Sequence, residues 1–154
     1  MKIYTLEREQ TVNRPLEEVF EFFSKPENLA RITPPQMGFK MLTPLPIDMG
    51  SGTVIDHTVR IFGINVHWRA LISSYDPPRS FTDEQLKGPY IFWHHQHRFE
   101  KTDGGSRIND KVTYALPFGF WGRLAHYLFV KGKLKRIFDY RYSVIETIFN
   151  DPNQ

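Results

Sequence analysis

Three of the six histidines in this chain fall within Trp93-His94-His95-Gln96-His97. Residues two apart on a strand share a face, so His95 and His97 stand with Ile91, Trp93 and Phe99. An ordinary core strand has little use for two imidazoles, because each neutral ring keeps one donor and one acceptor to satisfy. The wall of a ligand cavity does have a use for them. Imidazole also titrates near neutral pH and can give or take a proton there.

Asp110 is the natural carboxylate partner. The stretch from Thr102 to Ser106 reads as a hairpin loop. If Thr102 opposes Arg107, then Phe99 faces Asp110, His97 faces Val112 and His95 faces Tyr114. Asp110 then lies diagonal to His97, within reach of a polar contact. A carboxylate there fixes the tautomer of the ring and raises its pKa. The pair serves either as a buried structural contact that orients a ligand or as an acid–base couple. No nucleophile accompanies it, so the structural reading is preferred. His95-x-His97 with His57 and a carboxylate also has the spacing of a zinc shell, but that spacing is unspecific, and neither metal nor cofactor is expected.

These residues need a sheet to carry them. Residues 2–12 alternate as a strand, and Pro15 opens a helix whose apolar side is Leu16, Val19, Phe20 and Phe23. Pro26 opens a second short helix. Prolines 34, 35, 44 and 46 keep the next stretch irregular, with a short edge strand near Phe39. Strands are expected over 53–62, 65–75, 80–86, 90–101 and 107–116, joined by short turns and therefore antiparallel. From about residue 120 to 150 there is no proline, and an apolar stripe predicts a helix of roughly 28 residues, about 42 Å long. Gly122 and Gly132 within it imply a close approach, a kink or room for a ligand.

Strands followed by one long helix mean an α+β fold, a curved antiparallel sheet of about six or seven strands wrapped around the C-terminal helix. Alternation places His57, Trp68, Asp83, Gln85, Trp93, His95, His97, Asp110 and Tyr114 on its inner face, with Leu134 and Phe138 on the helix opposite.

Composition narrows the class. The length of 154 residues fits one domain, taken as 1–150 with a frayed tail at 151–154. Aromatic residues make up 15% of the chain, enough for a bulky lining as well as a core. Without cysteine, thiol nucleophiles, thiolate metal sites and disulfides are excluded. A net charge of +3 is too slight for a dedicated nucleic-acid binder. Glu7, Arg8 and Glu9 interrupt any apolar leader, and no apolar run reaches the ~20 residues of a membrane span; a cytoplasmic protein is expected. Lys131, Lys133, Lys135 and Arg136, with Arg123 upstream, suit a membrane surface or an anionic ligand, but a solvated helix face is the preferred reading. Oligomeric state is not legible.

Three stretches together resemble the START-like, helix-grip superfamily, also called SRPBCC. They are Val12-Asn-Arg-Pro15 leading to Val19-Phe20 and Phe22-Phe23; Trp68-Arg-Ala70 with Asp76-Pro-Pro-Arg79, Phe81, Asp83 and Gln85; and Trp93-His-His95-x-His97-x-Phe99 with Asp110, Val112, Tyr114 and Pro117. The pattern closely resembles a bacterial branch of small stand-alone, polyketide-cyclase-like proteins. The resemblance implies a deep cavity between sheet and helix that holds a lipid, a polyketide or another apolar molecule. It assigns no catalytic residues. The expected function is binding of an apolar small molecule by a carrier or sensor. The alternatives are a cyclase, dehydratase or isomerase using His97 and Asp110 with His95 and Tyr114, and a partner-binding module.

Overall fold

The computed structural model describes residues 1–151; residues 152–154 of the expected tail lie outside them. The chain runs β1 (Tyr4–Val12), α1 (Leu16–Phe23), two 3-10 turns (Pro26–Ile32 and Pro35–Met37), β2 (Lys40–Met41), β3 (Val54–Ile61), β4 (Ile64–Asp76), β5 (Ser80–Lys87), β6 (Phe92–Thr102) and β7 (Gly105–Ala115). A continuous helical stretch follows: α2 (Gly119–Ala125), a π-helical segment (His126–Val130) and α3 (Lys131–Asn150). The strands form one antiparallel sheet in the order β1-β7-β6-β5-β4-β3-β2. This is the expected α+β architecture, a seven-stranded sheet with one long helix.

Local chemistry explains the elements. Pro15 stands at the N-cap of α1, Glu17 and Glu18 favour its first turn, and Val19 and Phe20 bury its apolar side. Phe62 and Gly63 form the two-residue turn between β3 and β4, with φ of 50° and 78°. Positive φ at both places suits the twist of a hairpin, but glycine and asparagine are the residues that normally accept it. Gly122 lies against the turn that enters the helix. A Cβ there would fall 2.0 Å from the carbonyl oxygen of Pro117. The close approach expected of a helix glycine is thus made by Gly122, whereas a Cβ on Gly132 would meet only the flexible Arg136 side chain at 3.6 Å.

Two clusters fill the interior. The first joins Val12, Val19, Phe20, Phe81, Phe99, Ile108, Ile145 and Phe149 into a solid core at the α1 end. Phe20 is its hub, with ring centres of Phe99 and Phe81 at 5.4 and 6.0 Å. Each such side chain contributes about 1.5–3 kcal/mol on burial. The second cluster sets Trp93, Val112 and Tyr114 of the sheet against Leu134 and Phe138 of α3. Outside these clusters α3 is tied to β1: Arg8 meets Asp139 at 2.7 Å, and Gln10 donates to the Tyr142 carbonyl at 3.0 Å.

The β6–β7 register differs from the expected one. The turn is only Asp103-Gly104, so Thr102 pairs with Gly105, His97 with Asp110, His95 with Val112 and Trp93 with Tyr114. The shift is two residues, so every inward side chain remains inward. Asp110 is directly opposite His97 rather than diagonal to it. Ile91 precedes the strand and is exposed.

Candidate functional site

Between the sheet and the helical stretch lies a cavity of about 620 Å³, within the range of small-molecule sites. Eight of the residues expected at the site line it: His57, Trp68, Asp83, Trp93, His95, His97, Leu134 and Phe138. Ile55, Val59, Ala70, Ile72 and Phe81 make the sheet wall apolar. The inner end abuts the solid core, since Phe81 belongs to both and stacks on His97 with ring centres 4.1 Å apart. The rim carries Phe62, Phe118, Trp121 and Phe129, all exposed.

Three expected lining residues are placed elsewhere. Gln85 sits at the end of β5, where its amide grips the backbone of Tyr90 at both N–H and carbonyl, at 3.1 and 2.7 Å, and so closes the turn around Gly88. Asp110 lies behind the histidines, on the side away from the cavity, facing Arg8, Gln10 and Arg141. Tyr114 packs in the second cluster, and its hydroxyl meets Nε2 of His126 at 2.7 Å. His126 also stacks on Tyr4, with ring centres 3.5 Å apart. Burial and the charges of Lys131 and Lys2 hold the His126 pKa below its usual value. Burial also pushes the Tyr114 hydroxyl up to about 12, so the hydroxyl keeps its proton and shares a hydrogen bond with His126.

The inner wall is built from two imidazoles between two carboxylates. His95 and His97 stack with ring centres 3.7 Å apart. On the cavity side, Asp83 Oδ2 is 2.7 Å from His97 Nε2 and 3.8 Å from His95 Nδ1. On the far side, Asp110 Oδ1 is 2.8 Å from His95 Nε2 and 3.3 Å from His97 Nδ1. Both histidines are buried.

Two stacked rings cannot both hold a positive charge in so dry a place. Burial depresses His95, and the neighbouring His97 cation depresses it further, against the pull of Asp110 and Asp83. Burial acts on His97 as well, but its contacts with Asp110 and Asp83 outweigh the desolvation and leave its pKa raised. For both carboxylates burial opposes ionisation, and the facing imidazoles overcome it. Asp83 and Asp110 are held below their usual range. Of the two rings, His97 is the one whose surroundings favour the charged form and His95 the one whose surroundings favour the neutral form. The carboxylate facing Nε2 places the His95 proton there and the lone pair on Nδ1, toward Asp83 and the cavity.

Arg141 completes the arrangement. It lines the cavity, acts on Asp83 through its charge, and holds its guanidinium 4.9 Å over the Phe138 ring. With His97 it offsets the two carboxylates. It escaped the sequence reading because one arginine among several on a helix carries no local mark of the strand it will face. His57 stands apart, between Phe39 and Trp68. Burial lowers its pKa to about 4, so it is neutral at pH 7.

Asp83, His95 and His97 offer three donor atoms within 4.8 Å of one another, the one group among the described residues able to approach a metal ion. The donors do not suit one. They are engaged with one another instead: His97 Nε2 meets Asp83 Oδ2 at 2.7 Å, and the positive charge of Arg141 acts on Asp83. The arrangement suits proton placement.

A family model described as polyketide cyclase / dehydrase and lipid transport matches residues 4–143. The chain belongs to this family. No curated protein matches it. Among solved structures, a protein of Thermus thermophilus is 15% identical, with a TM-score of 0.71, over 94% of this chain and 99% of that one. The ZhuI aromatase/cyclase of Streptomyces sp. R1128 is also 15% identical, with a TM-score of 0.68, over 96% of both chains. Norcoclaurine synthase of Thalictrum flavum, solved with dopamine and hydroxybenzaldehyde, is 14% identical with a TM-score of 0.65, over 94% of this chain and 87% of that one. At such identities the likeness is one of fold. A polyketide cyclase / dehydrase and lipid transport fold of this kind hosts binders and enzymes alike.

Proposed function

We propose that this protein binds an apolar small molecule with one polar end, a lipid, a polyketide or an aromatic compound, as a carrier or sensor. One observation carries the reading: a 620 Å³ cavity walled by Trp68, Ala70, Trp93, Leu134 and other apolar groups ends on a compact charged set formed by Asp83, His95, His97 and Arg141. The walls match the body of such a ligand by area. The charged end fixes its orientation, with Arg141 suited to a carbonyl or carboxylate oxygen. His57, His95 and His97 are ligand-facing in this reading, and no step of bond making is assigned to them.

A second reading is supported by the histidine pair itself. One ring is neutral with its lone pair toward the cavity, and its neighbour is a cation. A base and an acid thus stand side by side, an arrangement suited to moving a proton on a bound carbonyl compound in a cyclase, dehydratase or isomerase. Asp83 would hold the acid and Asp110 would orient both rings.

Native mass spectrometry of the purified protein, with extraction of whatever is bound, tests the first reading, together with titration by anilinonaphthalenesulfonate. The expected result is saturable uptake of one molecule, abolished by Ala70→Phe, which puts a ring into the cavity. Probe binding unaffected by Ala70→Phe would overturn it. Turnover of a bound polyketide-like carbonyl compound that is lost in His95→Gln would favour the second reading.

A further inference from the structure

We propose that the rim of the cavity is a docking face for an anionic lipid bilayer, through which the ligand passes directly between membrane and cavity. The transfer rests on the binding function proposed above; the docking stands on observations of its own.

The first observation is backbone strain. Among the described residues, two side-chain-bearing residues adopt the left-handed region, Phe62 with φ 50° and Phe118 with φ 70°. A bulky aromatic residue is out of place in such a conformation, and strain of this kind collects at functional positions. Both phenylalanines lie on the rim, and both point outward, 73% and 82% exposed. Neither ring gains burial that would offset its strain.

The second is the exposed apolar surface around them. Phe120 and Trp121 are 61% and 70% exposed, with ring centres 5.5 Å apart. Leu124 and Leu128 extend the same strip along the helix at spacings of three and four residues. Phe129 reaches across to Phe62, edge to face at 6.2 Å. The β3–β4 turn, the turn that enters the helical stretch and the helical stretch itself thus all carry exposed rings at the mouth of the cavity. A patch of this kind marks an interaction site.

The third is charge, and it chooses the partner. Between Asp110 and Asp139 the chain has no acidic residue, yet it carries Lys111, Arg123, Lys131, Lys133, Lys135 and Arg136. Lys133 sits 5.2 Å over the Phe62 ring and Arg123 6.0 Å over Phe120, so cations are threaded through the patch itself. Among the described residues, Arg123, Lys131, Lys133 and Arg136 have no carboxylate within 4.0 Å. Lys2 sits 5.6 Å over the Tyr4 ring, which stacks on His126, so this lysine lies at the same end. Aromatic and leucine side chains with interspersed lysine and arginine are the composition of a surface that settles into the headgroup region of an anionic leaflet. A second copy of the chain would present the same positive face and be repelled. No helix among the described residues is long and apolar enough to cross a membrane, so the contact is peripheral. The basic run read from sequence as a solvated face gains this role because the fold sets it beside exposed rings that are distant or unremarkable in the sequence.

The test uses the whole chain and two kinds of vesicle, phosphatidylcholine alone and equal parts of phosphatidylcholine and phosphatidylglycerol. Sedimentation should show binding to the mixed vesicles at least about tenfold stronger than to phosphatidylcholine, weakening as salt rises. Emission from Trp121 should shift to the blue on binding and lose that shift in Trp121→Ser; Trp93 is buried and Trp68 half-buried in the cavity wall. Phe120→Ser with Leu124→Ser, which leaves the cavity lining untouched, should weaken vesicle binding about tenfold or more. Lys131→Ser with Arg136→Ser should remove the preference for the anionic vesicles. Anilinonaphthalenesulfonate uptake without vesicles should be normal in both double variants, which separates failure of docking from failure of ligand binding. Equal affinity for both vesicle types, indifference to these substitutions, or self-association that consumes the patch would overturn the proposal.

Discussion

His95 and His97 stack face to face at 3.7 Å while each turns one nitrogen toward Asp83 and the other toward Asp110. The opposed shifts of the two rings, His95 down and His97 up, predict one positive charge shared by the pair. At pH 7 the ring nitrogens of His97 should show the nitrogen NMR shifts of an imidazolium, and those of His95 the shifts of a neutral ring protonated on Nε2. Two neutral rings, or two charged ones, would contradict the assignment.

Asp110 is buried beside the two rings and lies outside the cavity lining. Asp110→Asn removes the carboxylate that meets His95 Nε2 at 2.8 Å and faces His97 Nδ1 at 3.3 Å, and should cost about 1–3 kcal/mol of stability in urea unfolding. The folded fraction of that variant should still take up the apolar probe.

Stability should fall toward acid through His57. Its pKa is 6.5 when unfolded and about 4 when folded, so the unfolded chain takes the proton first. The loss begins as pH drops below 6.5 and amounts to about 3 kcal/mol by pH 4. His57→Leu should flatten that part of the curve. His97 acts in the opposite sense. Its folded pKa is raised, so its contribution is full below pH 6.5 and disappears as pH rises through the folded value. The lowered carboxylates Asp83 and Asp110 add stability that is lost only when pH falls through their folded values. Unfolding free energies measured from pH 4 to pH 9 should therefore peak between these limbs.

Arg141 should decide the polarity of the ligand. Arg141→Met keeps the apolar stem and removes the cation, so affinity for a carboxylate-bearing apolar probe such as oleate should fall about tenfold. Affinity for a neutral apolar probe should not change. Isothermal titration with the two probes separates these outcomes.

The two helix glycines should part company. Gly122→Ala forces a methyl group against the Pro117 carbonyl and should destabilise by about 2 kcal/mol or more. Gly132→Ala has room and should stabilise by up to about 1 kcal/mol through helix propensity. Thermal melts of the two variants should move in opposite directions.

Strand periodicity made much of the site legible. Alternation on β6 was enough to turn Trp93, His95, His97 and Phe99 inward, and the parity of β3, β4 and β5 placed His57, Trp68 and Asp83. The exact cross-strand partner was not legible, because loop length sets register, and Asp103-Gly104 turns the chain two residues sooner than a four-residue loop would. Gln85 shows another limit: at a strand end the backbone of a following turn competes for a side chain that alternation alone would point inward. Arg141, His126 and the rim aromatics depend on where the long helical stretch lies against the sheet, a relation between distant segments that no local pattern encodes.

The solid cluster around Phe20, Phe99 and Ile145 and the hollow half beyond Phe81 lie in one domain but answer to different demands. Cooperative folding is anchored where rings interlock, so the half that lines the cavity has freedom to vary. Exchanges at Ile55, Val59, Ala70 or Ile137 can reshape what is accommodated while the anchored half keeps the architecture intact, which makes this a scaffold on which new selectivity arises without first rebuilding the fold.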